Sequence, residues 1–155
     1  MNCARINGYK VSPRGRNHDW SSLSTLGDSL VIDMQLNCKM ESFVVDKEST
    51  GEHILPGSRY IGKMRVPSGC TNAVFLAAMN KEFKENGGIS VIGSCPSVGV
   101  TGFVLNGGFG DATPYAGVAA DVVDEFEMVL YNGTVITASA TEHEDAFWAS
   151  KGGTG

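Results

Sequence analysis

From Thr71 to Asn86 the apolar residues recur at helical spacing: Phe75, Met79 and Phe83 lie four apart, Leu76 sits beside them, and Gly87-Gly88 ends the run. A helix is predicted there. Short strands are predicted at 9–12 (YKVS), 29–34 (SLVIDM), 42–46 (SFVVD) and 52–55 (EHIL), and the last three, rich in branched residues and bounded by turn formers, are expected to form an antiparallel meander. The strand at 9–12 enters a basic loop, PRGRNHDW, that Pro13 keeps from being helical. A further strand is predicted at 89–92 (ISVI). FEMVLY and TVITAS, separated by Asn132-Gly133, predict a hairpin, because Asn-Gly readily takes the positive φ angles of a type I′ turn. Thr141 and Glu144 fit a capping box that opens a short helix through Phe147 and Trp148, both assigned to the core. The chain starts as the tail of a helix entering a strand (CARINGYKVS) and stops at KGGTG just after another helix, which predicts a fragment of something larger.

Composition narrows the classes. A chain of 155 residues, 42% hydrophobic and 19% charged, with no repeat or linker, suits one ordinary globular core. Its net charge of -5 opposes binding to phosphate backbones and anionic membranes, so nucleic acid and membrane partners are not expected. No apolar run approaches the roughly 20 residues that span a bilayer, and MNCARINGYK lacks the apolar core of a signal peptide. Cys3, Cys38, Cys70 and Cys95 show no CxxC spacing, and His18, His53 and His143 are widely spread, so no metal site is expected. The four thiols could form two disulfides, or Cys38 and Cys70 could pair and leave Cys95 free for chemistry.

Glycine is the outlier, at 20 residues, of which thirteen lie between 87 and 155. In GSCPSVGVTGFVLNGGFG the main chain is bare enough for consecutive N–H groups to converge on an anion such as a diphosphate, and little of it can pack a core. It is no dinucleotide GxGxxG turn, since it is longer, interrupted by Pro96 and followed by further glycines.

The stretch from Gly93 to the C-terminus resembles the FAD-binding domain of berberine bridge enzyme-like oxidases, in the vanillyl alcohol oxidase and para-cresol methylhydroxylase (PCMH) superfamily. The family pattern Gly-x-Cys-Pro-x-Val-Gly-x-x-Gly is met by Gly93, Cys95, Pro96, Val98, Gly99 and Gly102. Upstream, PRGRNHDW resembles the family's Arg-Ser-Gly-Gly-His segment and aligns Arg14 and His18. Downstream, AAD at 119–121, YNGTVITAS and DAFWASKGG match in order, so the resemblance spans nearly the whole chain. It implies an α+β, PCMH-type FAD-binding domain over residues 1–155, holding the end of the first subdomain and most of the second, with the substrate domain elsewhere.

The resemblance also implies FAD held by two covalent links, from His18 to the flavin 8α-methyl carbon and from the Cys95 sulfur to ring carbon 6. Arg14, Gly15, Arg16, Asn17, Asp19, Gly93, Ser94, Val98, Gly99, Gly102 and Phe103 become the expected cofactor-binding residues. The implied activity is an oxidase that passes hydride from an alcohol, sugar or amine C–H to FAD and reoxidises with O2 to give H2O2, acting on a small molecule outside the cell. Its catalytic base belongs to the substrate domain. Two departures stand out: Arg16 and Asn17 replace the family's paired glycines before the histidine, and Phe103 stands where some relatives place a polar residue near the flavin. They leave a noncatalytic remnant or secreted binding module without flavin as the alternative, and a reversible nucleotide binder as a third possibility.

Overall fold

A computed structural model describes residues 1–52 and 59–153. Helix α1 (Asn2–Ile6) leads into strand β1 (Lys10–Arg14), as the sequence predicts. β1 pairs in parallel with β2 (Ser29–Asp33), so β2 does not open the antiparallel meander expected over 29–55. A parallel pair needs a crossover of a dozen or more residues, and the polar segment 15–28 supplies it. Its 3₁₀ turn (Leu23–Thr25) is held to β1 by the buried Ser12 hydroxyl, which donates to the Leu23 carbonyl. Because the strands are parallel, their C-terminal ends share one edge. There Arg14 Nη2 donates to Asp33 Oδ2 at 2.6 Å, in register with the Arg14–Asp33 backbone pair.

Strand β3 (Val44–Asp46), shorter than predicted because residues 40–42 form a 3₁₀ turn, pairs antiparallel with β6 (Lys63–Arg65). Two-residue strands β4 (Gly51–Glu52) and β5 (Arg59–Tyr60) pair within this excursion. Most of the strand expected at 52–55 lies outside the described residues. Helix α2 (Asn72–Phe83) is capped by the Thr71 hydroxyl, which accepts from Val74 N–H, and ends through a 3₁₀ turn at Gly87, φ +67°. Its buried face is Asn72, Phe75, Ala78 and Phe83, while Met79 is half-buried and Leu76 exposed.

The predicted strand at 89–92 does not form. The segment finds no ladder partner among the described residues and contributes only the buried Val91 to the core. The glycine-rich stretch also differs from expectation, folding into helices α3 (Val100–Leu105) and α4 (Thr113–Ala116) and a 3₁₀ turn (Ala119–Val122). Of residues 93–110 only Val100 is buried, as the sequence predicts, and the stretch lies close against the core residues Ala119 and Ala120, whose N–H groups donate to the Gly108 and Gly107 carbonyls. Its glycines allow this: a Cβ on Gly93 would meet the Asn72 amide at 2.8 Å and the Phe103 ring at 3.1 Å, and one on Gly108 (φ +67°) would meet Phe103 at 2.7 Å.

Strands β7 (Glu125–Val129) and β8 (Val135–Ser139) form the predicted hairpin. Its turn is wider than type I′: Gly133 N–H returns to Leu130 O at 2.9 Å and Leu130 N–H reaches Thr134 O at 2.8 Å. Only Gly133 of the pair takes positive φ (+87°), because Asn132 instead uses its side chain to accept from Thr134 N–H. The last helix, α5 (Glu144–Ala149), starts behind His143 at φ +47° with no side-chain cap, so the expected Thr141–Glu144 box is absent. Ser139 Oγ accepts from the N–H groups of Thr141 and Glu142 in its place. Phe147 is buried, tilted 5.9 Å from Phe126 of β7, whereas Trp148 is exposed, one residue round the helix on its outer face.

The thiols follow the second of the two sequence alternatives. Cys38 and Cys70 are joined; Cys3 and Cys95 are free and exposed.

Candidate functional site

Loop 15–19, leaving β1, and loop 93–99, which precedes α3, meet beside the N-terminus of α2. Main-chain packing brings them together. Gly99 is the contact point, since a Cβ there would lie 3.2 Å from Arg16 Cγ and 3.5 Å from the Arg16 backbone nitrogen. Loop 93–99 is anchored on α2: Asn72 N–H donates to Val98 O at 2.9 Å, Ala73 N–H to Pro96 O at 3.1 Å, and Val100 N–H to Cys70 O at 2.9 Å. Beneath it, the buried Asn72 amide donates to the Gly93 and Cys95 carbonyls at 3.3 and 3.1 Å.

This scaffold places two residues far apart in sequence on one hydroxyl. His18 Nε2 lies 3.1 Å from Ser97 Oγ, and Cys95 Sγ lies 3.4 Å from the same oxygen. Both nucleophiles are exposed on the outer side of the joined loops. The Ser97 hydroxyl and the N–H groups of Ser97 and Val98 lower the Cys95 thiol below its ordinary range by stabilising the thiolate.

The other expected cofactor residues divide. Asn17 takes φ +60°, so it reproduces with an asparagine the backbone that a glycine adopts freely. Gly15 faces open space, as a Cβ there would meet nothing within 4 Å. The N–H groups of Arg16, Asn17, His18, Ser94, Cys95 and Gly99 have no acceptor among the described residues. Arg16 is committed to the protein: Nε donates to Gly69 O at 2.7 Å and Nη1 to Gln35 Oε1 at 2.9 Å. Arg14 is paired with Asp33, and its Nε is buried without a partner among the described residues. Asp19 braces its own loop, accepting from the N–H groups of Ser21 and Ser24, which hold its carboxyl below the usual carboxylate range. Gly93 and Phe103 pack against each other, Val98 serves through its backbone, and Gly102 stands apart on α3 with nothing near its Cα hydrogens.

The donor set fits a flavin nucleotide: N–H groups without acceptors on two adjoining loops for a diphosphate, and beside them a thiol and an imidazole able to add to an electron-poor ring. Sequence reasoning missed Ser97 and Asn72. Ser97 stood inside the quoted pattern at an unspecified position, and Asn72 fell within the predicted helix without a signal of its own.

Residues 63–139 match the FAD binding domain family. Over 150 residues the chain is 31% identical to xylooligosaccharide oxidase of Thermothelomyces thermophilus, covering 97% of this chain and 27% of that protein. Among solved structures, the VAO-type flavoprotein MtVAO615 of Myceliophthora thermophila superposes with a TM-score of 0.80 at 27% identity, over 98% of this chain and 26% of its own. The BBE-like 1 protein of Physcomitrella patens superposes with a TM-score of 0.75 at 30% identity, over 98% of this chain and 30% of its own. The chain spans about a quarter of the length of the curated relatives it matches.

Proposed function

We propose that this chain, which carries the FAD-binding fold of the VAO-type, berberine bridge enzyme-like family, is part of an FAD-linked oxidoreductase and holds FAD through covalent bonds at both His18 and Cys95. The observation that carries this reading is the convergence of His18 Nε2 and Cys95 Sγ on Ser97 Oγ, which brings two nucleophiles 77 positions apart onto one small patch. Held there, FAD would supply an acceptor for a hydride equivalent from a substrate C–H, with O2 as the terminal oxidant and H2O2 as its product.

This chain's own residues perform the holding. The N–H groups of Arg16, Asn17 and His18, which have no acceptor among the described residues, would hold the diphosphate, with Gly15 keeping the approach open. The Arg16 guanidinium, tied to Gly69 and Gln35, fixes the loop's position. The N–H groups of Ser94, Cys95 and Gly99 line the second loop. Two links also restrict where the ring can lie and remove the cost of ordering it at each turnover. The substrate in this reading is a small hydroxylated molecule, such as a sugar, and the Cys38–Cys70 disulfide suits an extracellular setting.

The test is direct. The chain is purified, denatured and digested, and peptides containing His18 and Cys95 are weighed. Yellow absorbance that stays with the denatured protein and a flavin-sized mass on both peptides support the proposal. Colourless, unmodified peptides refute it in favour of a flavin-free module, and flavin released intact on denaturation makes the protein a reversible binder.

A further inference from the structure

We infer that Ser97 is the hub of a polarised hydrogen-bond chain, in which His18 Nε2–H donates to Ser97 Oγ and the Ser97 hydroxyl donates to the Cys95 sulfur. One hydroxyl thereby prepares both attachment points. It leaves His18 Nδ1 as the ring nitrogen with the free lone pair, and it leaves Cys95 as the thiolate. The inference rests on the covalent-attachment reading for its purpose, but not for its geometry.

The direction of the chain follows from the inventory of donors. A hydroxyl has one proton to give. Cys95 Sγ sits 3.4 Å from Ser97 Oγ, a hydroxyl is a stronger donor than a thiol, and the turn that follows, closed by Val98 N–H on the Cys95 carbonyl, keeps the N–H ends of its peptides on the sulfur's side, where they favour the thiolate. A sulfur so surrounded acts as acceptor, and the Ser97 proton points at it. Ser97 Oγ can then only accept from the imidazole 3.1 Å away, which requires the proton on Nε2. In neutral imidazole that tautomer leaves Nδ1 unprotonated. The thiol proton itself leaves to water, since the sulfur is exposed.

No nearby charge supplies the same effect. Arg16, on the loop that carries His18, is tied to Gly69 and Gln35. Asp19 turns its carboxylate to Ser21 and Ser24. From α2, Asn72 brings a neutral amide to the Cys95 carbonyl.

The test uses the 155-residue chain isolated free of flavin. Nitrogen-15 NMR of the imidazoles reads the His18 tautomer directly, with H18Q identifying its signals. Iodoacetamide, which forms an S–C bond as iodide leaves, reads thiolate content against pH, with exposed Cys3 as the internal standard. The expected result is a proton on Nε2 of His18 and a Cys95 alkylation midpoint below that of Cys3. Ser97→Ala should slow Cys95 alkylation by about tenfold at pH 7 and let both tautomers appear, since a hydrogen bond to a charged group has been removed. Ser97→Thr, which keeps the hydroxyl, should restore both signatures. A proton on Nδ1 in the unmodified chain overturns the inference without any variant, as does an S97A profile that matches the parent. Absence of flavin uptake with both signatures intact overturns the attachment reading alone.

Discussion

Asn72 is a buried polar side chain at the first position of a helix, and its amide hydrogens are spent on two carbonyls of the loop that carries Cys95. Its Oδ1 is buried with no partner among the described residues. Replacing it by alanine leaves the Gly93 carbonyl without its donor and the Cys95 carbonyl with Val98 N–H at 3.4 Å alone, so Asn72→Ala should lower stability by about 2 kcal/mol in urea titration and narrow the reactivity gap between Cys95 and Cys3. The Arg14–Asp33 pair makes a different prediction. Arg14 holds the Asp33 carboxyl below its ordinary value, with Gln35 N–H assisting. A depressed folded value means the stabilisation is present above the unfolded value of about 3.9 and disappears as pH falls through the lower folded one. Thermal melts of Asp33→Asn should therefore match those of the parent at the acid end of that window and fall below them from about pH 5 upward. At this scale His18 and Cys95 were singled out through the family pattern of the residues around them, and the fold brings the two onto one hydroxyl. Ser97 and Asn72 were illegible because serine and asparagine are common, and only the fold shows what their hydrogen bonds reach.

Helix α3 and the loop that follows it show how the same residue type serves opposite ends. Gly108 has φ +67° and would drive a Cβ into Phe103 and Ala119, whereas Gly102 lies in the middle of α3 with open space beside it. Alanine should consequently act in opposite directions at the two sites. Gly102→Ala should raise stability by about 0.5–1 kcal/mol through helix propensity, and Gly108→Ala should lower it by about 2 kcal/mol or more through strain and overlap, both read from denaturant midpoints. Elements with strong periodicity, α2 and the β7–β8 hairpin, were legible. The direction of β1 against β2 was not, because strand composition says nothing of the path between strands, and here the polar 15–28 crossover decides it. The helices of the glycine-rich stretch were hidden for a related reason: glycine lowers helix propensity, while the close approaches around Phe103 that require it are tertiary.

For the molecule as a whole, the Cys38–Cys70 disulfide joins the end of the β2 region to the start of α2 across 32 positions. Cys70 is fully buried; its carbonyl accepts from Val100, and the preceding Gly69 carbonyl accepts from Arg16. Both loops of the candidate site therefore hang on one cross-link. Cys38→Ser, which leaves the buried Cys70 in place, should cost up to about 4 kcal/mol by the loop-closure estimate. Hydrogen exchange should quicken first at Val100 and in loop 93–99, and iodoacetamide should then reach Cys70. Unchanged exchange there in C38S would mean that packing alone fixes the loops.

That same cross-link makes residues 39–69 a covalently closed handle, with β3 to β6 carried on it and both hinges pinned at the sulfurs. Length added inside the handle, for instance a short glycine-serine run after Thr50, enlarges a loop whose ends are already tied, and even doubling such a loop adds only about 0.6 kcal/mol in chain entropy. The handle is thus where this molecule can accept foreign sequence, a tag or a reporter, while the patch of His18, Cys95 and Ser97 outside the tied loop keeps its shape.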